Sequence, residues 1–131
     1  MKSTPIFPPI KVYYLHGKKW LIIEPITVAL SNGEEITVPV GMETDLSSSP
    51  KYLWGLFPPY GDFLLAAIIH DYLYIYDYKK IEWGNKKAKA FADYQMLYFS
   101  NLINKNYIDN YLRYLAVRLF GKKVWKISRT Q

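Results

Sequence analysis

His70 and Asp71 stand side by side in Ala66-Ala67-Ile68-Ile69-His70-Asp71-Tyr72-Leu73-Tyr74, an otherwise apolar helical run. An imidazole and a carboxylate in such surroundings cost desolvation unless each finds a partner or a metal. Neighbours on a helix point about a hundred degrees apart, so these two cannot readily serve each other. Asp93, in Phe91-Ala92-Asp93-Tyr94 on a second helical segment, is the expected partner of His70. An aspartate that accepts from one ring nitrogen fixes the tautomer and leaves the other nitrogen as a general base for water, the dyad half of a hydrolase. His70 and Asp93 are therefore the candidate catalytic pair, with Tyr74 placed to bond a site carboxylate.

Asp71 and Asp45 are the candidate metal ligands, Asp45 coming from the polar stretch Thr44-Asp45-Leu46-Ser47-Ser48-Ser49-Pro50. Two carboxylates with carbonyls and waters can complete the roughly six to eight oxygens that calcium takes, so a divalent cation, calcium before magnesium, is the expected cofactor. Zinc is less favoured, because no two-histidine spacing such as HExxH is present. The same residues also fit a structural role. His70 and Asp93 would then form a buried bond that fixes helix register, Asp71 would cap or pair with a lysine, and Asp45 would open a turn. The other histidine, His16, falls in a turn and reads as solvated.

These residues need a scaffold, and the chain is long enough to build one. Its 131 residues are half apolar, which fits a single domain with a sizeable core. The 13 tyrosines, 6 phenylalanines and 4 tryptophans supply large buried area and leave phenols for a wet surface or a partner. With no cysteine, disulfides, thiolate metal sites and a catalytic thiol are excluded. No apolar run is long enough to cross a bilayer, and the prolines between Met1 and Pro9 do not suit a cleaved export signal. The net charge of +6 is concentrated in a tail holding Lys122, Lys123, Lys126 and Arg129 without any acid. Nucleic-acid binding by such a tail is disfavoured against a solvated end.

Residues 1–43 read as mainly β. Strands are expected over Lys11–Leu15 and Lys19–Glu24, then over Ile26–Leu30 and Glu35–Val40 around Ser31-Asn32-Gly33-Glu34, where Asn-Gly supplies a hairpin turn. Residues 44–60 read as a loop with a short helix capped by Ser49, and 61–121 as helical. The first helix starts from Gly61-Asp62, and the second starts near Asn85 and lies antiparallel to it, with Lys86, Lys87 and Lys89 on its wet side. The third runs from Asn106 to Phe120 with Ile108, Tyr111, Leu112, Leu115 and Leu119 as its apolar stripe and Gly121 as its stop. Residues 122–131 form the basic tail. The fold class is α+β, N-terminal antiparallel hairpins packed on a C-terminal three-helix region.

Thr44-Asp45-Leu46-Ser47-Ser48-Ser49-Pro50, an aromatic-proline stretch, Ala66 to Tyr74 and then Ala92-Asp93, taken in that order over residues 38 to 100, resemble domain-of-unknown-function family 1353 of tailed phages and prophages. That resemblance implies a phage or prophage origin. The partners would be virion or assembly proteins, and the location the host cytoplasm during synthesis and then the virion. His70-Asp71-x-x-Tyr74 followed by Ala92-Asp93 is also similar to the helical pair of phospholipase A2, in the compact type of parvovirus capsids. It implies that His70 activates water, Asp71 holds calcium and Asp93 orients His70. Two functions follow as expectations: a phage-associated His/Asp hydrolase acting on phospholipid or cell wall, or a non-catalytic virion or tail-assembly protein whose His/Asp network is a buried clamp.

Overall fold

The computed structural model describes residues 10–16, 19–45, 63–103 and 105–128; His16, Lys19, Asp45, Phe63 and residues 120–128 are described by backbone alone. The first part forms five strands, β1 (Val12–His16), β2 (Lys19–Ile22), β3 (Ile26–Ala29), β4 (Glu35–Val38) and β5 (Glu43–Asp45). They assemble into two antiparallel sheets, β1-β2-β5 and β3-β4. In the β3-β4 pair, Ile26 stands opposite Val38 and Val28 opposite Ile36, so one face is apolar and buried. Between them Thr27 meets Thr37 on the outer face, their hydroxyls 2.9 Å apart. This two-residue alternation is the pattern of a half-buried hairpin.

The turn between β3 and β4 is where the expected Asn-Gly pair acts. The Gly33 amide donates to the Leu30 carbonyl at 2.9 Å and the Leu30 amide to the Glu34 carbonyl at 2.8 Å. The positive φ of 88° falls on Gly33, where the absent Cβ removes the steric cost. Asn32 contributes differently, its side-chain oxygen accepting from the Glu34 amide at 3.1 Å.

β5 was not expected, since Thr44 and Asp45 read as loop. Their polarity resembles a turn, but Gly41 and Met42 already exchange backbone bonds with Ile22, and the pairing continues as Leu21 with Glu43 and Trp20 with Thr44. A boundary at residue 43 therefore cuts a strand. The expected helix at Ser49-Pro50, the aromatic segment after it and the Gly61-Asp62 cap lie outside the described residues.

The second part holds α1 (Phe63–Ile75), a single turn α2 (Lys80–Trp83), α3 (Asn85–Ile103) and α4 (Tyr107–Ser128). The three expected helices are joined by α2, which follows a turn with left-handed Asp77 and Lys79. From Leu64 to Ile69 every residue of α1 is buried, as its lack of amphipathic contrast implied. Ile68, Ile69 and Leu73 meet Ile22, Ile26 and Val38 from the sheets and Ala92 and Phe99 from α3. Each such fully buried aliphatic side chain contributes roughly 1.5–3 kcal/mol. The chain is thus an α+β protein, with antiparallel strands against helices.

α4 departs from expectation twice. It runs through Gly121 to Ser128, because one interior glycine costs only about 1 kcal/mol and no proline follows to stop the helix. Its rotation is also reversed: Ile108, Tyr111, Leu112 and Leu119, four of the five residues expected to face the core, are exposed, while Asn110 and Ala116 are buried. The cause is polar. Asn110 bonds Asn101 at 2.9 Å and holds Arg113 at 3.0 Å, and the carbonyl of Val117 accepts from Lys89 at 3.3 Å, so the polar side of α4 is the side drawn onto α3.

Candidate functional site

Helices α1 and α3 bring His70 and Asp93 together. His70 Nε2 lies 2.9 Å from Asp93 Oδ1, and both side chains are buried, Asp93 completely. Further along α1, Tyr74 donates its hydroxyl to the same carboxylate oxygen, and Tyr78 stacks on Phe91. Partners advancing along α1 retreat along α3, so the two helices run antiparallel.

Asp93 Oδ2 has two further donors that the sequence reading did not assign. Lys89 Nζ lies 2.7 Å away and Arg118 Nη1 2.9 Å away. Lys89 was expected on the wet side of α3. It sits one turn before Asp93 on the same face, and that i,i+4 spacing was the signal available to find it. Arg118 comes from α4 and had no local signal. One fully buried carboxylate therefore gathers four donors from three helices.

Asp71 lies apart from this cluster. It accepts the hydroxyl of Thr44 from β5, and its Oδ1 stands 3.8 Å from His70 Nδ1, within ion-pair range and beyond a hydrogen bond. His70 thus spans two carboxylates, one nitrogen bonded to Asp93 and the other facing Asp71. Asp45 follows Thr44 on β5, where its backbone pairs with Lys19; its side chain lies outside the described residues. Among the described residues no three His, Cys, Asp or Glu side chains cluster to hold a metal ion.

Burial pushes the His70 imidazole down, but the neighbouring Asp71 and Asp93 carboxylates outweigh it and raise the pKa to about 9. At neutral pH the ring is therefore an imidazolium. Burial would raise Asp93, but His70, Lys89 and Tyr74 hold its carboxyl below the usual carboxylate range. Tyr74 moves the other way, since burial and the adjacent Asp93 charge both push the phenol up. The group reads as Asp93 and Asp71 negative, with His70, Lys89 and Arg118 positive.

The family described as "Protein of unknown function (DUF1353)" matches residues 20–117, a span that takes in Thr44, Asp45, His70, Asp71, Tyr74, Lys89 and Asp93. The chain belongs to that family. No curated protein and no solved structure matches the chain. No helix among the described residues is long and apolar enough to cross a membrane.

Proposed function

We propose that the chain is a phage-associated protein with a hydrolase-like site, in which His70 is the base toward water and Asp93 orients it. The observation that carries this reading is the His70 Nε2 to Asp93 bond, because it fixes the ring and turns Nδ1 toward partly exposed Asp71 rather than into the core. Tyr74, Lys89 and Arg118 hold Asp93 in place, so the orienting carboxylate is itself immobile. The order His70-Asp71-x-x-Tyr74 and then Asp93, similar to that of phospholipase A2, makes phospholipid the first substrate to try and cell wall the second.

A base must be neutral, and this ring releases its second proton only near pH 9. Turnover should therefore rise with pH up to that value. A divalent cation beside Asp71 would supply positive charge to polarise a carbonyl or phosphoryl oxygen. The described donors there are the Asp71 carboxylate and the Thr44 hydroxyl, already bonded to each other, which fall short of the roughly six to eight oxygens of a calcium shell. No step is derived through an ion, and calcium enters as a variable of the test.

A second reading has its own observation. Asp93 is fully buried with two permanent cations and an imidazolium upon it, an arrangement that also suits a clamp between three helices in a virion or tail-assembly protein. Hydrolysis of phospholipid and cell-wall substrates, with and without calcium, should be measured beside thermal unfolding and virion incorporation for wild type, His70→Asn and Asp71→Asn. Activity that disappears in a still-folded His70→Asn protein supports the hydrolase. No turnover in any condition, with substitutions acting only on stability or incorporation, leaves the clamp.

A further inference from the structure

Ile108, Leu112, Leu115 and Leu119 recur at intervals of four, three and four residues along α4. That is the spacing with which one helix presents a seam to another. The seam lies opposite Asn110, Arg113 and Val117, which hold α4 against α3, and it faces water, with Ile108 79% and Leu119 72% exposed. Rotation of α4 cannot bury it within the chain without breaking those bonds and the Arg118 pair with Asp93.

We infer that this face of α4 is where two copies of the chain meet, their α4 helices packed antiparallel across a two-fold axis. Intervals of four, three and four read the same in both directions, so the seam is its own complement. An axis between Leu112 and Leu115 sets Ile108 against Leu119 of the partner subunit and Leu112 against Leu115 of the partner subunit. Charge selects the same sense. The first turn of α4 carries Asp109 and its last turns the lysines at 122, 123 and 126. Antiparallel packing brings each basic end toward the acidic start of the other helix and opposes the macrodipoles, whereas parallel packing would stack the basic ends. The seam spans roughly three turns, about 16 Å, which is short for a standard interface and fits a dimer that dissociates in the micromolar range.

Sedimentation of the full chain across that range should show a monomer–dimer equilibrium. Leu112→Glu should weaken it on the order of a hundredfold, since the change falls twice in each dimer. Its melting temperature, taken where both proteins are monomeric, should match wild type. The absence of native cysteine permits a test of direction. A chain carrying both Ile108→Cys and Leu119→Cys should oxidise to a covalent dimer, while Ile108→Cys alone should not, because its two thiols would lie at opposite ends of the seam. Efficient bridging by Ile108→Cys alone overturns the antiparallel arrangement. A chain that stays monomeric throughout overturns the contact itself, even if the seam then binds phospholipid vesicles, and so does a dimer that Leu112→Glu leaves intact.

Discussion

The centre of this molecule and the outer face of α4 exchange their usual contents. Around Asp93 a carboxylate, an imidazole, an ammonium and a guanidinium converge among buried side chains; on α4, isoleucine, leucine and tyrosine face water. The two are linked, because the polar groups that satisfy Asp93 and Asn101 are carried by the side of α4 opposite its apolar seam. A helix with two incompatible demands is oriented here by its polar one. A buried carboxylate without partners costs more than a few leucines left in water, which is why the polar side wins.

The most severe way to break the comparison is to empty its centre. Asp93→Ala leaves Lys89, Arg118 and a protonated His70 facing one another without a counter-charge. It should destabilise the fold by about 3–5 kcal/mol in urea titration, the range for breaking one side of a buried pair. A loss under about 1 kcal/mol would mean that water reaches the cations and that the centre is less dry than its burial indicates.

A gentler probe titrates the same centre. His70 has its pKa raised in the folded chain to about 9 from an unfolded value near 6.5, so its contribution is complete below the lower value and is lost as pH rises through the higher. Stability should fall by roughly 2–3 kcal/mol between pH 6 and pH 10 from this group, with His70→Asn lacking that component. A flat difference between the two proteins over that window would place the imidazole outside the carboxylate pair.

The smallest effect belongs to the outer face. Leu112→Glu, measured on the monomer, should change stability by no more than about 0.5 kcal/mol, as surface substitutions do. A loss of several kcal/mol would mean that the seam is covered by the chain's own segments.

What sequence reveals of this arrangement follows the range over which each signal acts. The β3-β4 hairpin, with its alternation and its Asn32-Gly33 turn, is a local pattern, and so is the apolar run of α1. Pairing His70 with Asp93 needed only the inference that two adjacent helices run antiparallel and that a buried histidine requires a partner. Lys89 was legible in principle, four residues before Asp93. Arg118 was not, because nothing near it in the chain announces which face of α4 will be turned inward. The periodicity of Ile108, Leu112, Leu115 and Leu119 identifies an apolar face correctly and says nothing about what covers it. Likewise β5 is specified by the edge that β2 offers rather than by its own residues, so Thr44 could not be seen from the sequence to reach Asp71.

Gln95 on α3 is fully buried and reaches across to the β3-β4 turn, where its side-chain oxygen accepts from the Ser31 amide at 3.0 Å and its amide nitrogen donates to the Ser31 hydroxyl at 2.6 Å. A turn amide ordinarily exchanges its proton with solvent as soon as its own hairpin breathes. Here the proton is held by a side chain that arrives only when the helices dock, so its exchange rate follows the association of sheet with helix. The hairpin cannot settle into its final hydrogen bonding ahead of α3, which makes the two halves one cooperative folding unit despite the long stretch of chain between them.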